Sequence, residues 1–232
     1  MDKEFLCIAH RGAMGHEPEN TLLAIEKAIT LGALWVEIDV HYVDNHLVVI
    51  HDEKLHFPTG EIDIKQQSFA WLRTLDVGKG QKIPTLSEVL DLIKGRAHLN
   101  IELKGDNTAQ PVCDVITEYC TKYGWKYTDF FISSFKYAEL AKTRALLPTM
   151  NIGILLDNFT APYFEQAKML KAKFLNVNQE MVTADFIQQA ATKNLRVLVY
   201  TVNSCEDMLK MKNLGVSGIF TNFPEKCLKM SG

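Results

Sequence analysis

The sequence predicts an α/β chain: a TIM-type (β/α)8 barrel with a small insertion after its second strand, residues 1–232 forming one domain. Eight apolar runs of strand length, at 5–9, 34–40, 97–103, 130–134, 152–156, 174–177, 197–202 and 218–221, alternate from end to end with helical periodicity. Most of these runs are apolar on both faces, which suits parallel strands covered by helices. The alternative is an open doubly wound sheet, which usually carries a Gly-rich nucleotide loop after its first strand. Here that position reads Arg11-Gly12-Ala13-Met14-Gly15, which is no G-x-G-x-x-G, so the barrel is preferred.

The elements follow in order. After the first run, Leu22, Leu23, Ile25, Ala28 and Ile29 make one helical stripe, with Asn20 or Thr21 as its cap and Gly32 as its stop. The second run passes into His41-Tyr42-Val43, then Asp44-Asn45, then His46-Leu47-Val48-Val49-Ile50. Asp-Asn between two alternating runs is a hairpin signal. In that register His51 comes back to the level of Glu37 and Asp39. Residues 52–84 hold Pro58, Gly60, Gly78, Gly80 and Pro84 and predict an irregular insertion over the barrel mouth. Thr85-Leu86-Ser87-Glu88 reads as a capping box, and Leu86, Val89, Leu90 and Ile93 give the next helix a buried face before Gly95. Helical stretches at 109–123, 137–147, 161–171, 184–193, 205–213 and 223–230 complete the set, with Ser204 as a cap.

Composition bounds the partners. The chain is 47% hydrophobic and 23% charged, an ordinary globular balance, and its net charge of −3 offers no basic footprint for nucleic acid. A small anionic substrate needs only a local positive site. The stretch Met1-Asp2-Lys3-Glu4 leads straight into the first strand without a basic and apolar leader, so no signal peptide is expected. No run reaches the roughly 18 apolar residues of a membrane span. Cys7, Cys113, Cys120, Cys205 and Cys227 are scattered and odd in number, so reduced thiols and a cytoplasmic location are expected rather than a disulfide framework or zinc. Oligomeric state is left open.

Four polar clusters stand where strands end: His10-Arg11-Gly12, Glu37-Ile38-Asp39, His51-Asp52 and Glu102-Leu103-Lys104. A barrel of this type gathers its strand ends at one mouth. Glu37 and Asp39, two apart on a strand, share a face, and so do Glu102 and Lys104. Three carboxylates from two strands make a hard-oxygen site suited to Mg2+ or Ca2+. His10 and His51 titrate near neutrality and fit an acid–base pair. Arg11 and Lys104 suit an anionic oxygen, so the set specifies phosphoryl chemistry. An ion-pair network is the bland alternative, but it leaves two histidines at the same level unexplained. His16, His41, His46, His56 and His98 are assigned structural or solvent roles.

These residues, read with Pro18-Glu19-Asn20-Thr21, Val49-Ile50-His51-Asp52, Ile83-Pro84-Thr85-Leu86, Asn100-Ile101-Glu102-Leu103-Lys104, Ser133-Ser134-Phe135 and Tyr200-Thr201-Val202-Asn203, resemble the glycerophosphodiester phosphodiesterase family along nearly the whole chain. The resemblance implies hydrolysis of small glycerophosphodiesters to sn-glycerol 3-phosphate and an alcohol. It implies Glu37, Asp39 and Glu102 as ligands of a divalent cation, His10 and His51 as catalytic acid and base, and Arg11 and Lys104 at the phosphate. Phe135 and Tyr200 would form apolar wall. The chain departs from the family at Leu55-His56-Phe57-Pro58-Thr59, where the family often has Leu-Asp-Arg-Thr-Thr, at Tyr200 for Trp, and at Thr221-Asn222 for Thr-Asp. Two other functions stay open: a lysophospholipase D-like enzyme, favoured by an exposed apolar rim of Phe57, Phe69 and Trp71, and a non-catalytic ligand-binding barrel.

Overall fold

Nearly all of the predicted strands sit where the apolar runs place them. The computed structural model describes residues 5–58, 60–159 and 162–231. Met1 to Glu4, Thr59 and Ala161, on which parts of the N-terminal, insertion and sixth-helix expectations fall, lie outside the described residues. The strands are β1 (Leu6–Ala9), β2 (Trp35–Val43), β3 (His46–Val49), β4 (Lys54–Phe57), β5 (Gly60–Asp63), β6 (His98–Leu103), β7 (Phe130–Ser134), β8 (Asn151–Leu156), β9 (Phe174–Asn178), β10 (Arg196–Tyr200) and β11 (Gly218–Thr221). The helices are α1 (Leu22–Thr30), α2 (Phe69–Leu72), α3 (Leu86–Ile93), α4 (Ala109–Lys122), α5 (Tyr137–Leu146), α6 (Tyr163–Leu170), α7 (Ala184–Thr192), α8 (Cys205–Leu214) and α9 (Pro224–Ser231).

Among the described residues, β1, β2, β6, β7, β8, β9, β10 and β11 pair in parallel in that order, and β11 returns to β1. The sheet therefore closes and leaves no barrel edge. Leu6, Ile8, Phe131, Phe174, Leu198 and Phe220 fill the interior as one apolar cluster. The other faces of the same strands (Cys7, Val36, Ile38, Ile101, Ile132, Val199) pack against the helices. This double burial is why the runs read as continuously apolar.

The hairpin forms as its turn residues dictate. Asp44 and Asn45 both have positive φ, 46° and 60°, and β3 runs back antiparallel with Val49 opposite Val40. The Ile50 N–H donates to the Asp39 carbonyl at 3.0 Å, which sets His51 beside the Glu37–Asp39 stretch. Residues 52–84 leave and rejoin the barrel at one place, since Val49 N–H donates to Pro84 C=O at 2.8 Å. They are better ordered than the sequence reads. β4 and β5 pair, and Val48, Ile50, Ile64, Leu72 and Ile83 form a small core with Phe69 and Trp71 against it. Arg73 clamps the segment with paired 2.9 Å bonds to Glu88.

Helix starts follow local chemistry. Thr85 and Glu88 make the reciprocal capping box, Ser204 accepts from Asp207 N–H at 3.0 Å, and Thr21, not Asn20, caps α1. α4 has no cap from its own sequence. Buried Glu139 of α5 accepts instead from Asn107 N–H at 2.8 Å and Ala109 N–H at 2.7 Å. Glu139→Leu strands both donors, so urea denaturation should read a loss of about 2–4 kcal/mol; an unchanged midpoint would remove this cap from the account.

One expectation is corrected. Cys7 of β1 and Cys227 of α9 are joined in a disulfide, with Cα atoms 5.9 Å apart at a sequence separation of 220. The barrel brings its first strand and last helix side by side, which cysteine spacing along the chain does not report. Cys113, Cys120 and Cys205 are free thiols. Among the described residues, no helix is long and apolar enough to cross a membrane.

Candidate active site

Glu37 and Asp39 project from β2, and the strand register sets Asp39 beside Glu102 of β6. Each of the three offers a carboxylate oxygen, and these oxygens lie within 4.8 Å of one another. Glu37 is 3% exposed and Asp39 1% exposed. Crowding like charges in so little water is costly. Burial, then Asp39 and Glu102, push the Glu37 carboxyl well above the usual range, against the opposing pull of Arg11. Burial and Asp39 push Glu102 up to about 7, against Lys104. Glu37 Oε1 is buried with no hydrogen-bond partner. An unpartnered carboxylate oxygen facing two more carboxylates fits a divalent cation bound by oxygen, and the absence of sulfur or imidazole from the trio favours Mg2+ or Ca2+ over zinc.

Without a cation, these carboxyls bind protons more tightly folded than unfolded. Their contribution is full below the ordinary value of 4.5, and the Glu102 share is lost as pH rises through about 7. In EDTA the protein should therefore melt at a lower temperature at pH 7.5 than at pH 5, and a saturating divalent cation should flatten that slope. A slope unaffected by cation would count against the cluster as a metal site.

The turn after β1 supplies cationic and imidazole groups. Gly12 has φ +79°, and a Cβ there would fall 2.6 Å from the Ala24 backbone, so only glycine lets this turn press on α1. The Arg11 N–H donates to Glu37 Oε2 at 2.8 Å. Its guanidinium reaches Glu19 at 2.8 Å and Asp39 at 3.2 Å. Lys104, next after β6, meets Glu102 at 2.9 Å and donates to His51 Nε2 at 3.1 Å. His51 Nδ1 lies 2.6 Å from the Asp52 carboxylate. His10 Nδ1 lies 2.9 Å from Asn222 Oδ1, and burial followed by Arg11 lowers its pKa to about 4.

His10, Arg11, Glu37, His51, Glu102, Lys104, Phe135 and Tyr200 all line one cavity of about 150 Å3. Asp39 stands behind its wall, tied to Arg11 and Asn20. The Phe135 and Tyr200 rings meet edge to face at 6.3 Å, and the Tyr200 hydroxyl donates to Leu156 C=O. The model of the glycerophosphoryl diester phosphodiesterase family matches residues 10–226. The chain belongs to this family.

Membership makes it a phosphoric diester hydrolase, a glycerophosphodiester phosphodiesterase. A glycerophosphodiester phosphodiesterase of Caldanaerobacter subterraneus subsp. tengcongensis is 32% identical, the match spanning 97% of each chain. One from Bacillus altitudinis is 31% identical over 96% of each. Among solved structures, an Oleispira antarctica phosphodiesterase in complex with the product sn-glycerol-3-phosphate superposes with a TM-score of 0.86 at 29% identity, covering 96% of this chain and 94% of that one. The non-catalytic barrel is thereby set aside for this family member.

Several residues at the site escape sequence reasoning. The sequence offers Asn20 as a cap, but its amide bridges Asp39, donating to Oδ2 at 2.9 Å and accepting from the Asp39 N–H at 3.1 Å. His41 has a structural role with a bearing on the site: its Nε2 donates to the His51 carbonyl at 3.1 Å, holding the backbone that carries His51. Asn100 and Ser133 bond each other on the cavity floor at 2.9 Å. A signal for Asn20 and His41 was available: polar residues one cap position off, or two beyond Asp39 on the same strand face, are well placed to reach the site.

Proposed function

We propose that this cavity hydrolyses small, water-soluble glycerophosphodiesters to sn-glycerol 3-phosphate and an alcohol. Glu37, Asp39 and Glu102 would hold a divalent cation, and His10 and His51 exchange protons with the attacking and departing oxygens. The observation that carries this is the meeting, at one cavity, of the Glu37 and Glu102 carboxylates, with Asp39 crowded behind them, two imidazoles and two cations. A bound Mg2+ or Ca2+ would polarise the phosphoryl group and neutralise its developing charge. Arg11 and Lys104 bind phosphate oxygens from either side of the carboxylate trio. Asp52 orients the His51 ring through Nδ1, and Nε2, which meets Lys104 at 3.1 Å here, exchanges that partner for a substrate oxygen. Phe135, 45% exposed, and Tyr200 present apolar surface to the glycerol or the leaving group.

The product bound to the Oleispira antarctica relative supports the glycerol 3-phosphate half of this reading. The lipid alternative finds little support at the insertion. Phe69 stacks on His46 at 3.9 Å, and Phe69 and Trp71 pack on the small core, leaving Phe57 as the exposed aromatic there. A competition assay decides between the two. Glycerophosphocholine should be consumed with release of sn-glycerol 3-phosphate well ahead of lysophosphatidylcholine, and preference for the lysolipid would overturn the proposed substrate class.

A further inference from the structure

The two imidazoles that line the cavity have unlike partners. His51 Nδ1 meets a carboxylate, Asp52, whereas His10 Nδ1 meets an amide oxygen, Asn222 Oδ1, at 2.9 Å. An amide oxygen accepts hydrogen bonds and cannot donate one. The proton between the two groups therefore belongs to His10 Nδ1. In a neutral ring the lone pair is then on Nε2. With Nδ1 turned to Asn222, Nε2 is the nitrogen left to the cavity that His10 lines.

Asn222 is held from several directions. Its N–H donates to Asn203 Oδ1 at 2.9 Å, and its carbonyl accepts from Gly15 N–H at 3.0 Å. The preceding Thr221 accepts from His10 N–H through its carbonyl at 2.9 Å. Segments that follow β1, β10 and β11 thus fix the backbone that carries the Asn222 side chain. Arg11 beside the ring and the burial of the ring both oppose an imidazolium there, and a neutral amide does less than a carboxylate to stabilise one.

We propose that Asn222 is a positioning residue that fixes His10 as the Nδ1–H tautomer, so that His10 Nε2 takes a proton of the attacking water. The proton moves to Nε2 as the water oxygen bonds phosphorus. The leaving alcohol oxygen takes the electron pair of the broken P–O bond and a proton from protonated His51. This rests on the reading above that both imidazoles handle protons.

The test joins a tautomer measurement to kinetics. Long-range 1H–15N correlation spectra of 15N-histidine-labelled protein, with the His10 signals assigned by their loss in His10→Ala, should show Nδ1 protonated and Nε2 bare. Asn222→Leu removes the acceptor: the ring should lose that tautomer, and kcat should fall about tenfold or more with KM nearly unchanged. Asn222→Asp restores an acceptor oxygen and should recover both the tautomer and most of kcat, measured at pH 8.5. A wild-type ring protonated at Nε2 overturns the assignment, as does a Leu variant with wild-type tautomer and kcat. If the Leu variant fails to fold, the wild-type and Asp spectra still decide. Full activity in His10→Ala would instead overturn the underlying reading of the site, whatever the tautomer.

Discussion

Turnover of glycerophosphocholine should stop in EDTA and resume when Mg2+ or Ca2+ is added back. The expectation comes from the carboxylate trio. Glu37 and Glu102 are driven toward the protonated state by burial and then by the Asp39 charge beside both, and Arg11 and Lys104 only partly offset this. A divalent cation converts mutual repulsion into coordination. Glu37→Gln, Asp39→Asn and Glu102→Gln each take one negative oxygen from the trio. Each should lower kcat/KM by about a thousandfold, because a metal contributes several kcal/mol to transition-state charge stabilisation and each 1.4 kcal/mol is roughly tenfold in rate. Glu37→Gln should also remove the cation-dependent gain in melting temperature. Undiminished turnover in EDTA, or an Asp39→Asn enzyme as active as wild type, would break the link between this cluster and catalysis.

Replacing either cavity imidazole should be nearly as damaging, by a separate route. His10→Ala and His51→Ala should each lower kcat by about 10²- to 10⁴-fold, the usual span for loss of a general acid or base. Substrate affinity should change little, since Arg11, Lys104 and the carboxylates remain. The fold should survive: His51 is partly exposed, and its backbone is held through its carbonyl by His41. Cation affinity measured by calorimetry should stay near wild type in both variants, which separates loss of proton transfer from loss of the metal. Either variant turning over at the wild-type rate would remove that histidine from the chemistry.

Much of this site was legible because its groups end strands. A polar pair after an apolar run is conspicuous, and barrel topology alone converts Glu37, Asp39 and Glu102 into neighbours. The hairpin at Asp44-Asn45 was legible for a local reason, two residues tolerant of positive φ. The contacts that were not legible join distant segments through one side chain each. Asn222 lies 212 residues from His10, and Glu139 caps a helix from 30 residues away. Neither has a local pattern, because the partner is chosen by packing rather than by spacing. The same holds for Cys7 and Cys227, which the closing of the barrel brings together. Residues 52–84 looked irregular because their core is small and is completed by Val48 and Ile50 from outside the segment.

Locating the ion decides whether the four polar strand ends form one cation-dependent phosphodiester site. Long-wavelength anomalous diffraction from crystals soaked in Ca2+ should give a peak with oxygens of Glu37, Asp39 and Glu102 at about 2.3–2.6 Å, and an added glycerol 3-phosphate should place a phosphate oxygen on the same ion. A peak bound elsewhere, or no peak at these three carboxylates in crystals of an enzyme that still turns over, would contradict it.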